Sequence, residues 1–248
     1  DFTPPELTII SPDTGEAVNH KLVHFSNSEI LQSAQMIWLR TGGNEDTLSP
    51  HISDLVRQEL SFDEIGPKEL ENVPNLSDGS IYTIMYVGYD PAGNISDTVK
   101  VDNVLYDITS PLISISFPSS DIYTTESKMI FNVNEDLYGF NINWNGVGKN
   151  NKPHEITYLS DDKLLSGEYN SDNLFIPELK DATTYAITLN GNDRAGNKAE
   201  EVKIIDIKID LTPPEFTNFY PKSGSFINIV KVGWSLSEDL DNGIVLFK

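Results

Sequence analysis

No cysteine occurs anywhere in the 248 residues, which excludes disulfides, thiol catalysis and cysteine-ligated zinc. Positive charge is scarce: 17 Lys+Arg stand against 38 Asp+Glu, a formal net charge of −21. So acidic a chain repels nucleic acid and anionic lipid, and neither is expected as a partner. No apolar run approaches the ~18 residues of a membrane span, so no membrane insertion is expected in this segment. The chain opens on Asp1-Phe2-Thr3-Pro4-Pro5 rather than on a signal peptide. Gly-x-Ser-x-Gly elbows, phosphate loops and His-Glu-x-x-His are all missing, and the expectation is a protein that is not an enzyme. Four histidines (His20, His24, His51, His154) offer no metal spacing. His24 falls opposite the core phase of its strand and is expected at the surface.

What the sequence does contain is itself, repeated. Asp1-Phe2-Thr3-Pro4-Pro5 recurs as Asp107-Ile108-Thr109-Ser110-Pro111 and as Asp210-Leu211-Thr212-Pro213-Pro214. Phe25, Phe131 and Trp234 keep that register, as do Glu29, Glu135 and Glu238, and Trp38, Trp144 and Phe247. Later in the cassette Tyr82 matches Tyr185, Gly88 matches Gly191, and Asp90-Pro91-Ala92-Gly93-Asn94 matches Asp193-Arg194-Ala195-Gly196-Asn197. The expected domains are 1–106, 107–209, and 210–248 as the opening part of a third, truncated repeat. Three strands in that last piece would not close a core alone.

The dominant period is two, the mark of half-buried strands. Val23 and Phe25, Met129, Phe131 and Val133, and Tyr82, Ile84 and Tyr86 all alternate with polar or small residues. A run of Val99, Val101, Val104, Tyr106 and Ile108 slips phase by one residue in its middle, and Val202, Ile204, Ile207, Ile209 and Leu211 slip at the same place; a shared slip predicts a bulge or a change of pairing partner. Turns are expected at Asp13-Thr14-Gly15, Thr41-Gly42-Gly43, Ser77-Asp78-Gly79 and Pro91-Ala92-Gly93-Asn94. Ser49 to Leu60 could pass for helix, but its counterpart is β-rich, and both are expected to be strand. About seven short strands per ~100 residues, with a Trp on the third, describe an immunoglobulin-like sandwich. Leu76 before Tyr82 and Leu179 before Tyr185 fit a tyrosine corner. The fold class is therefore all-β, tandem immunoglobulin-like or fibronectin III-like β-sandwiches, the third incomplete. The tryptophans lie on inward phases and are expected in cores rather than on a sugar-stacking platform; Tyr89, Tyr123 and Tyr138 are freer.

Three features carry a resemblance: the Asp-x-Thr-Pro-Pro linker, the Asp-x-Ala-Gly-Asn turn, and the Pro-His to Glu-Leu stretch from Pro50 to Leu60. With them the chain resembles the bacterial immunoglobulin-like (Big-type) repeats strung through large secreted and cell-surface proteins. The resemblance implies an extracellular or cell-surface setting. It leaves two roles open: spacer modules of an adhesin-like stalk, or modules that bind a glycan or protein ligand. It also raises the expectation of calcium-clamped linkers.

On such a sandwich the loop after the second strand, the turn between the last two strands and the incoming linker share one end. Asp107, Glu135, Asp136 and Asp193 are therefore expected to converge where the first repeat meets the second. Asp210, Glu238 and Asp239 should do so at the next junction, and Asp1, Glu29 and Asp90 at the N-terminal tip. The tip is weaker, because Ile30 stands where the others have Asp136 and Asp239. Packed carboxylates demand a counter-charge, and Ca²⁺, which takes 6–8 oxygens, suits them, with Asn197 or backbone carbonyls completing the shell. The competing account is local: Asp before Thr-Pro-Pro makes an Asx-turn, and Asp in Asp-x-Ala-Gly-Asn caps its own turn. Proline in the linkers fixes φ and favours a stiff join, with neighbouring repeats as partners.

Overall fold

The computed structural model describes residues 1–62, 72, 74–126, 128–148, 152–160 (backbone alone), 163–170 and 178–246. Seventeen strands and no helix are found among them. Residues 7–106 carry β1 (Leu7–Ser11), β2 (Ala17–Val18), β3 (His24–Asn27), β4 (Ser33–Gly43), β5 (His51–Asp54), β6 (Ser80–Tyr89) and β7 (Val99–Tyr106). They form a β1-β3 pair facing a five-stranded sheet ordered β2-β7-β6-β4-β5. Residues 113–209 repeat the plan with β8 (Ile113–Phe117), β9 (Tyr123–Thr124), β10 (Ile130–Val133), β11 (Gly139–Gly148), β12 (Lys152–Ser160), β13 (Gly167–Tyr169), β14 (Thr183–Asn192) and β15 (Val202–Ile209). Here β13-β10-β8 faces β12-β11-β14-β15-β9. β16 (Phe216–Tyr220) and β17 (Gly233–Leu236) form a hairpin that replays β1-β3 and β8-β10. This is an immunoglobulin-like, fibronectin III-like β-sandwich fold in tandem.

Each sandwich has its own core. Period-two alternation sends Val23, Phe25, Met36, Trp38, Tyr82, Ile84 and Tyr86 into the first, and Met129, Phe131, Ile142, Trp144, Tyr185, Ile187 and Leu189 into the second. The packing repeats as faithfully as the residues. Trp38 meets Tyr82 edge-on at 6.0 Å and 82°, and Trp144 meets Tyr185 at 5.9 Å and 83°. Both tyrosine corners close: the Tyr82 hydroxyl accepts the Ser77 N–H at 2.9 Å, and the Tyr185 hydroxyl accepts that of Lys180 at 3.0 Å. The shared phase slip is a bulge in both β6-β7 and β14-β15, with Asn103 (φ 60°) and Asp206 (φ 58°) as its left-handed residues.

Several expectations need correction. Ser49 to Leu60 is strand only over His51–Asp54; Glu59 Oε2 then accepts the Val56 N–H at 2.7 Å and winds residues 56–60 into a turn. Thr41-Gly42-Gly43 is no turn but the end of the eleven-residue β4. β7 stops at Tyr106 rather than running on to Ile108, so residues 107–112 form a linker without strand pairing. His24 is half-buried, with its Nε2 out of contact with solvent, rather than at the surface. Trp234 is 42% exposed, unlike Phe25 and Phe131 at 0%, since no second sheet covers the β16-β17 hairpin among the described residues. Phe247 lies outside the described residues, as does the His154 side chain.

A candidate cation site where one repeat meets the next

Every linker is bound to the sandwich it enters in the same way. The residue after the prolines exchanges bonds with the loop that carries the glutamate. Glu6 N–H donates to Ser28 Oγ, Leu112 N–H to Asn134 Oδ1 and Glu215 N–H to Ser237 Oγ, at 2.7–2.8 Å. The N–H groups of Ser28, Asn134 and Ser237 donate back to the carbonyls of Glu6, Leu112 and Glu215. Glu29, Glu135 and Glu238, each one residue further on, are thereby held beside the linker.

The Asp-x-Ala-Gly-Asn turn supplies the other wall. Gly93 (φ 91°) and Gly196 (φ 90°) take a backbone conformation that side-chain-bearing residues avoid. Two residues before the aspartate, Gly191 leaves no room for a Cβ, which would sit 2.8 Å from the Gly139 carbonyl, and at Gly88 a Cβ would be tight, 3.0 Å from Leu31 Cδ1. Asp193 is 3% exposed; its Oδ1 accepts the Asn197 N–H and its Oδ2 accepts Asn197 Nδ2, both at 2.8 Å. Asp90 is held identically by Asn94 at 2.7 Å. The asparagine then reaches the linker: Asn197 Nδ2 donates to the Asp107 carbonyl at 2.9 Å, and Asn94 Nδ2 to the Asp1 carbonyl at 3.4 Å.

Two carboxylate trios result. Asp107, Glu135 and Asp193 place one oxygen each within 4.8 Å of the others, and Asp1, Glu29 and Asp90 do the same. Asp136 lines the first of these hollows but turns away, pairing with Lys163 Nζ at 2.6 Å and accepting the Ser166 N–H at 2.8 Å. Asn197 also faces the trio with its amide nitrogen rather than its oxygen, so it braces the site instead of offering a ligand. Asp210 and Glu238 border a common hollow at the next junction, and Asp210, Glu238 and Asp239 border a second one; neither forms a trio among the described residues. The acid missing there is the one the late turn supplies elsewhere. Local turn chemistry is present as well: Asp1, Asp107 and Asp210 each accept, through Oδ1, the N–H two residues on. That bond leaves each linker carboxylate its second oxygen.

The electrostatics tell the two kinds of aspartate apart. Burial, then the charges of Asp193 and Asp78, push the Asp107 carboxyl above its ordinary range, against the lowering effect of the Thr109 N–H. Burial followed by Asp107, Asp193, Asp136 and Asp78 does the same to Glu135. Asp90 moves the other way: burial favours its neutral form, but the bonds from Asn94, Gly93 and Ala92 outweigh it. Asp46 is likewise low, because bonds from Tyr82 and His51 exceed the cost of burying it. In the folded state Asp107 and Glu135 therefore hold protons at a pH where the unfolded chain has lost them, and their ionisation destabilises the fold as pH rises. Asp46 and Asp90 contribute stability above the ordinary carboxylate value that is lost as pH falls below it. In chelator, acidifying from neutral pH toward the ordinary carboxylate range is expected to raise the melting temperature of the second repeat, and acidifying on below that range to lower that of the first. Differential scanning calorimetry across this range checks both signs.

Sequence reasoning missed several contributors. Arg194, where the first repeat has Pro91, donates across the junction to the Gly15 carbonyl at 2.5 Å. Asp46 accepts from Tyr82 (2.5 Å) and contacts His51 Nε2 (2.6 Å), which gives His51 a structural partner in the core's edge. Asp78 and Asp181 share one register in the two repeats and could have been found by that, but the sequence pattern marks Asp78 only within the Ser77-Asp78-Gly79 turn and does not single out Asp181.

No family model and no curated protein matches this chain. Solved structures do. The chain is similar to the fibronectin(III)-like modules of CbhA from Clostridium thermocellum at 14% identity, over 83% of this chain and 94% of that one, with a TM-score of 0.36. Chicken CNTN1 domains FN1–FN3 match at 14% identity over 83% of this chain and 66% of that chain, at 0.37. A tetra-tandem repeat in the extending region of a large adhesion protein matches at 15% identity and 0.30, over 86% of this chain and about half of that one (51%). The immunoglobulin-like fold stands on the strand pairing above rather than on these scores.

Proposed function

We propose that this chain is a run of non-catalytic spacer modules from a large bacterial secreted or cell-surface protein, with repeats at 1–106, 107–209 and 210–248 and Ca²⁺ stiffening their junctions. The observation that carries the reading is where the repeated residues go. Phenylalanines, tryptophans and tyrosines fill the two cores, glycines and asparagines build turns, and acids gather at the linker, where the hollows they line are the open ones at the junctions. Three carboxylates offer three to six oxygens, and backbone carbonyls or water can complete the 6–8 that Ca²⁺ takes. Extracellular modules bind it at about 10⁻⁴–10⁻³ M, which suits a site filled only outside the cell. A ligand-binding module is the weaker reading. Tyr89, Tyr123 and Tyr138 are exposed and specific to one repeat, but they lie apart, and Lys208 and Lys163 cover the last two rings at 4.7 and 5.5 Å.

Melting in millimolar calcium and in chelator tests the proposal. Millimolar calcium, about one to ten times the dissociation constant expected of such a site, should stabilise the second repeat by about 0.4–1.4 kcal/mol, rising toward about 2.7 kcal/mol only at a hundredfold excess. Glu135→Gln, which removes one charge and no hydrogen bond seen here, should match or exceed the parent in chelator and lose most of the calcium gain. Equal melting in both buffers would end the calcium part of the proposal.

A further inference from the structure

The two linkers are gripped from behind as well as from in front. Asp78, in the turn before β6, points its carboxylate at the linker that leaves its own repeat: Oδ1 accepts the Ile108 N–H at 2.7 Å and Oδ2 accepts the Thr109 hydroxyl at 2.5 Å. Asp181, in the turn before β14, repeats this on the next linker, with the Leu211 N–H at 2.7 Å and the Thr212 hydroxyl at 2.7 Å. One carboxylate thus holds two consecutive linker groups, a pairing that fixes direction as well as distance. The residue before them is fixed too, since the Asp107 N–H donates to the Val18 carbonyl and the Asp210 N–H to that of Thr124.

We infer that Asp78 and Asp181 are positioning residues that set the angle between consecutive repeats and aim the linker aspartate at the acids of the following sandwich. Thr109 shows how. Its N–H holds Asp107 Oδ1 at 3.0 Å, while its hydroxyl is held by Asp78. One threonine therefore ties the outgoing turn of the first repeat to the carboxylate that joins Glu135 and Asp193. The Asp-x-Thr of each linker is read as half of a clasp, and its other half lies about 30 residues upstream, at Asp78 and Asp181. Asp78 makes no part of the trio, so the clasp needs no metal to close. Its service to a cation site rests on the calcium reading above; its service to the angle does not.

Spin labels on the full chain test it, and the lack of native cysteine allows clean placement. Lys100→Cys and Lys203→Cys put one label on an exposed position of each sandwich. Thr109→Val removes the hydroxyl without changing charge, Thr109→Ser keeps it, and Asp78→Ala removes the clasp entirely. In chelator, the parent and Thr109→Ser should give a narrow distance distribution. Thr109→Val and Asp78→Ala should broaden it by on the order of 5 Å, part of the ~13 Å a free six-residue linker allows. In a calcium titration Thr109→Val should raise the half-saturating concentration about tenfold, as loss of a ligand-orienting partner does. A narrow parent with an equally narrow Thr109→Val and Asp78→Ala overturns the clasp while leaving the calcium proposal standing. A parent whose melting ignores calcium sinks that proposal and leaves the clasp to be decided by the distances in chelator.

Discussion

Trp144→Ala is expected to destabilise the second repeat by about 3–5 kcal/mol, the range for deleting a large buried aromatic. Trp144 is 2% exposed, packs edge-on against Tyr185 and belongs to a core walled by Phe131, Ile142 and Ile187. Against a total of about 5–15 kcal/mol for a domain of this size, the loss is a large fraction. The first repeat has a separate core and should melt unchanged, so calorimetry should resolve one shifted and one unshifted transition. Trp38→Ala should reverse the assignment. Trp234→Ala, at a position 42% exposed on a hairpin that no second sheet covers among the described residues, should move neither. A large effect of Trp234→Ala would mean that the hairpin has a covering not described here; a small effect of Trp144→Ala would refute the sandwich core.

Asp193→Ala comes second in size, and it separates two uses of one side chain. Both carboxylate oxygens accept bonds from Asn197, which is itself buried and carries the bond to the Asp107 carbonyl. Alanine leaves two buried N–H donors unpaired, at about 1–3 kcal/mol each, and relief of the repulsion on Asp107 and Glu135 offsets only part of that. The expected net loss is about 2–4 kcal/mol in chelator, together with loss of the calcium response. Glu135→Gln should lose the response without the destabilisation. If Asp193→Ala melts like the parent in chelator, the turn does not depend on this carboxylate, and the hydrogen-bond account of Asp-x-Ala-Gly-Asn fails. The comparison needs only thermal melts of three proteins in two buffers.

Much of this molecule could be read from one dimension, because repetition supplies its own comparison. Phe25 with Phe131, Trp38 with Trp144, and Tyr82 with Tyr185 share both period and register, and side chains that alternate along a strand can reach a core in only one phase. The bulge at Asn103 and Asp206 was legible for the same reason, as a phase slip occurring twice. Where the local pattern was ambiguous, reading failed. Gly42-Gly43 has the composition of a turn, yet cross-strand pairing with Ser80 and Ile81 carries β4 through it. Residues 56–60 have the apolar content of a strand, but the Glu59 side chain bonds back to Val56 and curls them.

Sequence alone determined which acids recur and that they belong to linker, loop and turn, since spacing within a cassette is a property of the chain. Only the tertiary structure decided which of them meet. Asp136 sits beside Glu135 in sequence but is drawn off by Lys163, and Asp78 sits among turn residues but reaches across to Thr109. Side-chain direction depends on partners brought from 30 residues away, and no local pattern encodes where those partners will stand.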